Sequence, residues 1–489
     1  MSVNSSLSKK TFGGFLWMLG GQGMQGISQF LVLIVLARLI KPEEFGIVSA
    51  AMIIIGFSII FSSLGVGPAL VQREKLSNEH INTAFVMSII LGIIFSLIIF
   101  LLSGLVSGFF RIPELRQVLH WLSLIFIIQG FYVTPLSILE RDMHYKKISL
   151  INSAAYILGY GAFGISTALI GLGVYSLVFA QLSQEIIKLI LISLFAKRKY
   201  KLTFTLNSFK DLMYFGSGFT LARIFNYAAL QGDNLIVGRY LGAASLGLYG
   251  RVYQLMAFPA TLFGQVVDKV LFSAMSKIQT DFRKMGDAYN KGVALIALVA
   301  IPLSVFCFLF AKEIIIVLLG EDWSKAIVPF QLFSIGLFFR VGYKISESIA
   351  RATGAVYRRA WRQFVYAFLV IIGSFIGKKW GIEGVIIGVN VALFSNFILM
   401  TGLSLEILKM KVIDFIFIHI PFILNALISF SILIFIDIDF SNHLFTLIVN
   451  LAILVILNIG ISFINPKIFL GVHGISIVKI LSKYFFKRL

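Results

Sequence analysis

One cysteine, Cys307, stands in 489 residues. Neither a disulfide framework nor a cysteine metal site can therefore form within the chain. Six histidines are present, and none has the spacing of a metal-ligand pair. Charge is scarce: 13% of residues are Asp, Glu, Lys or Arg, against roughly 25% in a soluble domain. A soluble core of this size would need a polar shell, and there are too few polar residues to build one. Catalytic signatures are missing too. The sequence has no Gly-x-Ser-x-Gly elbow, no Walker lysine loop and no histidine pair of the zinc-protease kind. These absences point away from an enzyme and from any bound cofactor. With no ATP-binding loop, a driving force would have to come from substrate gradients or a coupled ion.

What is present is apolar. Hydrophobic residues make up 58% of the chain, and the mean hydropathy is +0.95. Apolar runs of about 20 residues, the length of a bilayer-spanning helix, recur from end to end. Lipid offers no partners to free backbone groups, so spans are helices or closed barrels. These runs are continuous rather than alternating, which predicts helices. About fourteen spans are expected, near 13–40, 46–71, 82–110, 117–138, 149–171, 174–196, 212–241, 247–273, 291–319, 327–350, 360–379, 383–408, 414–436 and 443–464. The first span follows a polar stretch, Ser2 to Lys10, and is too long for a cleavable signal core. It reads as retained.

The formal net charge is +20. In a soluble protein that would suggest nucleic acid, but no soluble basic face is available. The basic residues sit in short loops, where they set orientation. With both termini cytoplasmic, cytoplasmic segments outnumber the opposite ones in Lys and Arg by about three to one, as the positive-inside rule requires.

The chain also repeats itself. Leu36-Ala37-Arg38-Leu39-Ile40 leads to Phe45-Gly46, and Val237-Gly238-Arg239-Tyr240-Leu241 leads to Leu246-Gly247. Arginine and glycine keep the same separation in both. Six spans lie between the copies, an even number, so the repeat is parallel. The expected organisation is an N-terminal six-helix lobe (1–196), a cytoplasmic linker (197–211) and a second six-helix lobe (212–408). Two further spans (409–464) and a basic cytoplasmic tail (465–489) follow. That is a transporter architecture.

Charges at membrane depth are costly and usually face a cavity or a partner. In the tenth span Arg340, Lys344, Glu347 and Arg351 are spaced four, three and four, which places them on one helical stripe. The eighth span carries Arg251, Gln254, Gln265 and Lys269 on one stripe, with Asp268 beside it. The seventh carries Arg223 and Asn234 on one face, with Asp233 about a quarter turn away. The first span offers Gln22, Gln25 and Gln29, and the sixth Gln181, Glu185 and Lys188. Lys188, Lys269 and Arg351 lie near cytoplasmic ends, where snorkelling competes with a cavity role. Arg223, Arg340 and Lys344 line a cavity or pair with acids such as Glu347. Arginine and lysine in a partly dehydrated cavity favour an anion, and arginine can grip phosphate oxygens bidentately. The substrate-binding candidates are thus Arg223, Arg251, Lys269, Arg340, Lys344 and Arg351. The polar lining is Gln22, Gln25, Gln29, Asn234 and Gln254.

Several segments carry a family resemblance. They are Leu36 through Gly46, Gly65-Val66-Gly67-Pro68-Ala69-Leu70-Val71-Gln72-Arg73, Leu139-Glu140-Arg141-Asp142-Met143, Asp233 through Gly242, and Tyr253-Gln254-Leu255-Met256. Over about residues 10–410 the chain resembles Wzx/WzxC-type polysaccharide transporters, within the multidrug/oligosaccharidyl-lipid/polysaccharide flippase superfamily. The resemblance implies an all-helical flippase of the bacterial inner membrane with a central cation-lined cavity. Its implied substrate is an undecaprenyl-pyrophosphate-linked oligosaccharide, moved from the cytoplasmic to the outer leaflet by alternating access. The product would feed O-antigen, capsule, exopolysaccharide or teichuronic-type polymer assembly. Polymerase and chain-length proteins of the same pathway are the implied partners. Proton or sodium coupling is known in related branches, and Asp233, Asp268 and Glu347 are its candidates here. Three rivals stay open. A cation-coupled drug exporter would need an acidic cavity. A lipid-linked peptidoglycan-precursor flippase shares the anionic head group. A polymerase or ligase of the pathway would carry a large outer loop.

Overall fold

In the computed structural model, residues 25–485 are described except 197, 199, 279–280 and 437–439. The side chains at 215, 217–219, 221, 222, 225, 229, 260–274, 276, 277, 356 and 480–485 lie outside the description. The described residues are helical and contain no strand. The chain divides into two compact units, one ending at Gly250 and the other starting at Arg251.

The first unit begins with α1 (Gln25–Leu39), α2 (Pro42–Ser63), α3 (Val66–Gln72) and α4 (Asn78–Phe110). Pro42 opens α2, where its missing N–H costs nothing. Glu43 and Glu44 sit in the first turn beside the helix's positive end. Ser77 caps α4, its hydroxyl accepting from the His80 amide at 3.3 Å. At 33 residues α4 is about 50 Å long, more than a bilayer core needs. α5 (Leu115–Leu122) and α6 (Leu124–Arg141) follow. Arg141 ends α6 by donating to the carbonyls of Leu70 at 2.8 Å, Val71 at 3.1 Å, Arg73 and, at 3.1 Å, Glu74. One guanidinium thus satisfies the carbonyls left over at the end of α3. Then come α7 (Tyr145–Tyr156), a π-helix (Ile157–Gly164), α8 (Ile165–Leu169) and α9 (Val174–Ala196).

Helix α10 (Leu206–Lys277) runs for 72 residues. A straight helix of that length would be about 108 Å long, several times the bilayer core. Gly242, at φ 86° and ψ −179°, breaks it. A side chain would resist that conformation. The half of α10 before Gly242 lies along α2 from end to end. A Cβ on Gly216 would sit 2.2 Å from the Leu64 carbonyl oxygen. Midway, the Tyr227 hydroxyl donates to the Ile53 carbonyl at 2.8 Å. At the far end Gly46 meets Ala243, and Gly247 meets Pro42. The two glycines of the repeated sequence therefore face one another.

The second unit comprises the rest of α10, α11 (Phe282–Leu309), α12 (Ala311–Leu318), α13 (Ile327–Ile335), α14 (Leu337–Ala352), α15 (Val356–Gly377) and α16 (Gly381–Leu408). α17 (Val412–Ile436), α18 (His443–Ile464), α19 (Pro466–Phe469) and α20 (Gly471–Phe485) complete it. α15 and α16 touch backbone to backbone. Gly373 faces Gly388 and Gly377 faces Gly384, a small-xxx-small seam on each helix, as suits close packing in lipid.

Among the described residues ten helical stretches are long and apolar enough to cross a membrane. Large apolar side chains face outward along them, Leu105 at 73% and Ile464 at 80% exposure. Water would not tolerate such a surface. The chain is a multi-pass membrane protein.

One polar junction lies outside the spans. Asp211, at the start of α10, accepts from Arg73 Nη2 at 2.7 Å and meets His80 Nε2 at 3.3 Å. The His80 hydrogen bond and the Arg73 charge hold its carboxyl below the ordinary aspartate value. A depressed carboxyl stabilises the fold above its unfolded value near 4, and loses that contribution as pH falls through the lower folded value. Acidification below about pH 4 should therefore loosen this junction. Asp211→Asn should lower the thermal midpoint slightly at pH 7 and flatten its acid dependence, read by nanoscale fluorimetry in detergent. An unchanged acid limb would count against the junction.

Candidate functional site

In the first unit a recess of about 180 Å³, with Ile59, Phe126, Val133 and Leu136 among its apolar lining and several polar side chains between them, opens among α2, α3, α4, α6 and α10. Its wall is built from Ser62, Ser63, Ser88, Gln129, Glu140 and Arg223, with Ser137 alongside. The serines lie on helices that would otherwise be apolar, and back-bonding to the preceding turn lets them sit there. Ser62 and Ser63 donate to Ile59 at 3.3 Å and Ile60 at 3.2 Å, and Ser137 donates to Val133 at 2.8 Å. Each hydroxyl oxygen keeps acceptor capacity toward the recess. Arg223 is exposed in the structure yet lines this recess.

Behind it lies a carboxylate that the sequence signalled only mildly. Glu185 on α9 is 2% exposed. Tyr132 donates to it through a short hydrogen bond, Lys188 Nζ reaches it at 2.9 Å, and the Gln129 and Gln181 amides approach at 3.4 Å. Tyr160, from the π-helix, donates to Gln181 at 2.8 Å. A buried charge is tolerated only with this kind of satisfaction. Lys188 is thus turned onto Glu185 rather than outward. Gln129 and Tyr132, three apart on α6, were the signal available in the sequence.

Asp233 is buried. Its Oδ1 accepts from the Asn234 amide at 2.8 Å and its Oδ2 from the Tyr249 hydroxyl at 2.6 Å. The Asn234 side chain donates to Gln231 at 3.0 Å. Gln25 and Gln29 are half-buried on α1. Gln22 lies outside the described residues, as do the side chains of Asp268 and Lys269.

In the second unit α14 carries the predicted stripe. Its apolar face, with Val341, Ile345 and Ile349, is buried. Arg340, Lys344, Glu347 and Arg351 are all half-buried along the same helix. The Arg340 guanidinium lies over the Tyr253 ring at 4.5 Å, and Tyr253 is braced edge-on by Phe333. Glu347 pairs with Arg359 of α15. Arg362 donates to the Leu399 and Arg358 carbonyls at 3.1 and 2.8 Å. On α10, Arg251 donates to Gln254 at 2.6 Å. α14 and α15 together carry six cations, Arg340, Lys344, Arg351, Arg358, Arg359 and Arg362, of which Arg359 pairs with Glu347 and Arg358 with Glu406 of α16. Such an excess of cations attracts anions. Tyr253 and Arg359 were not singled out from sequence as site residues, because each reaches the stripe from another helix.

A third feature is apolar. A groove of about 970 Å³ is lined by α11, α18, α20 and the Phe258-Pro259 turn of α10, with Asn458, Ser462 and Lys479 its polar members.

Comparison with known proteins gives the family and the fold. The sequence pattern described as "Polysaccharide biosynthesis protein" matches residues 35–328. The chain is 25% identical over 406 residues to the lipopolysaccharide biosynthesis protein WzxC of Escherichia coli K12, covering 81% of this chain and 80% of that one. It is 24% identical over 300 residues to the teichuronic acid biosynthesis protein TuaB of Bacillus subtilis 168, covering 61% and 62%. Among solved structures it resembles the lipid II flippase MurJ in an inward closed conformation. The TM-score is 0.74 at 17% identity, over 91% of this chain and 99% of that one. This last likeness concerns the fold.

Proposed function

We infer the function of this chain from its family: it belongs to the polysaccharide biosynthesis protein family. It is a multi-pass protein of the bacterial inner membrane and a flippase for lipid-linked oligosaccharide. The substrate we propose is an undecaprenyl-pyrophosphate-linked repeat unit, carried from the cytoplasmic to the outer leaflet. The excess of cations along α14 and α15, six against the two acids Glu347 and Glu406 that pair with Arg359 and Arg358, is the observation that carries this reading. A diphosphate brings negative charge and several acceptor oxygens, and arginine matches them with paired donors. At membrane depth, where water screens little, that match is strong.

Each unit, taken by itself, also carries a feature of suitable chemistry. The recess of the first unit offers serine hydroxyls and the Gln129 amide among apolar side chains, with Arg223 at its wall. The apolar groove of the second unit suits a hydrocarbon chain. A cation exporter would want the opposite charge on α14. The protein then works by alternating exposure of its site to the two sides of the membrane. A coupled ion would supply directionality, with Asp233, Asp268 and Glu347 the acids proposed for it. Glu347 is paired with Arg359 and Asp233 accepts from Tyr249, so each is tested by its own Asn or Gln variant.

The deciding experiment is leaflet-to-leaflet movement in proteoliposomes. A labelled polyprenyl-diphosphate oligosaccharide should become accessible on the far side at a rate well above protein-free vesicles. The triple variant Arg223→Gln, Arg340→Gln, Lys344→Gln should lose that rate at normal expression. Undiminished movement by the triple variant would remove the diphosphate-binding role. Faster movement of a lipid-linked peptidoglycan precursor would reassign the substrate.

A further inference from the structure

The first unit has a second, lateral groove that the translocation chemistry does not use. It holds about 730 Å³, within the usual range of ligand sites. Phe85 of α4, Phe131 of α6, and Leu189 and Leu194 of α9 form its walls. The wall faces outward: Leu194 is 66% exposed and Phe131 is 41% exposed. Its mouth is set where α9 ends at Ala196 and the chain turns polar. Arg198 and Tyr200 stand there.

The mouth is built rather than loose. Arg198 Nη2 donates to Asn78 Oδ1, on the first residue of α4. The Tyr200 ring stacks on Phe85 at 4.8 Å. The Lys201 amide donates to Asn82 Oδ1 at 3.2 Å, and the Thr205 amide to Thr83 Oγ1 at 3.1 Å. Four contacts along the same loop therefore fix one cation at the polar end of an apolar trough. The guanidinium has five N–H donors, so one bond to Asn78 leaves others for a ligand.

We propose that this groove binds an anionic glycerophospholipid, with an acyl chain along Phe85, Phe131 and Leu194 and the headgroup phosphate on Arg198. Charge and polarity select the occupant. An acidic peptide would leave the apolar floor uncovered, and an uncharged lipid would leave the guanidinium without its anion. The lipid-linked oligosaccharide is a poorer fit, since among the described residues the groove's polar lining is Ser193, Arg198 and Tyr200, with no amide array for sugars. The inference needs only the membrane embedding, so it stands or falls separately from the substrate.

Native mass spectrometry of the full-length protein tests it. The protein would be released from nanodiscs holding equal phosphatidylglycerol and phosphatidylcholine of identical acyl chains. One phosphatidylglycerol should be retained in preference. Arg198→Gln should lower that retention roughly five-fold, the weight of one basic residue facing an anionic lipid, and Arg198→Lys should restore most of it. Leu194→Trp, which fills the trough from its exposed side, should lower retention of both lipids. Melting temperatures in lipid-free detergent should stay at the native value. Equal retention of the two lipids, or no change in Arg198→Gln, would overturn the proposal. So would preferential capture of a synthetic polyprenyl diphosphate that Arg198→Gln abolishes, since the occupant would then be the substrate.

Discussion

Arg340→Leu should slow translocation at least 30-fold, about 2 kcal/mol of lost binding to the moving head group, while leaving the protein folded. The expectation follows from where the side chain sits. Arg340 is half-buried on α14, and its guanidinium lies over the Tyr253 ring, 4.5 Å from its centre. Contact with the ring holds the guanidinium in place, worth roughly 0.5–2 kcal/mol, and presents a fixed cation to an anion. Its neighbour acid, Glu347, is already taken by Arg359, so removing Arg340 strands no carboxylate and the fold should survive. Arg340→Lys separates charge from geometry. It keeps the cation but loses the planar fork, so an intermediate loss of roughly ten-fold is expected, about 1.4 kcal/mol. Lys378 makes the control: it too lies over a ring, Phe375 at 3.5 Å, but it is remote in sequence from the stripe, and Lys378→Gln should leave the rate unchanged. Initial rates in proteoliposomes at matched protein, with melting curves alongside, decide the matter. A native rate for Arg340→Leu would show that α14 does not meet the substrate.

The stripe was legible in the sequence because helical periodicity alone sets it. Four polar residues at spacings of four, three and four share a face whatever the rest of the chain does. The membrane class was legible for a similar reason, since lipid forces long apolar runs and intrahelical hydrogen bonds. Pairings between helices were not legible. Arg359 reads as a loop charge until α15 places it on Glu347. Glu185 reads as a mild polar position until α6 supplies Tyr132 and Gln129. Nothing in Ile157–Gly164 announces a π-helix either. That winding depends on packing against α9, where a Cβ on Gly159 would lie 2.7 Å from the Gln184 nitrogen. The glycines of the repeat were legible as a recurrence and not as a contact. Spacing shows that two segments are alike, but it cannot show that the two copies touch.

That contact carries the largest expected effect on folding. A Cβ on Gly247 would stand 1.8 Å from the Pro42 carbonyl oxygen and 3.0 Å from the Gly46 nitrogen. A Cβ on Gly46 would stand 1.7 Å from the Ala243 carbonyl oxygen. Both obstacles are backbone, which cannot rotate away as a side chain could. Close packing transmits such an overlap into shifts of whole helices, typically at 1–3 kcal/mol for one added carbon, and about that much or more here. Gly247→Ala should therefore lower the melting temperature by several degrees, and Gly247→Val should yield little monodisperse protein by fluorescence-detected size exclusion. Because both residues serve one approach of α2 to α10, their effects should not add. Once Gly247→Ala has pushed the segments apart, Gly46→Ala costs less than it does alone. Gly104→Ala and Gly108→Ala are the internal controls, since a Cβ at either meets nothing within 4 Å. On a helix these should raise stability slightly, by about 0.5–1 kcal/mol each. Additive losses at 46 and 247, or native yields for Gly247→Val, would mean that the two glycine-bearing segments are apart in the folded protein.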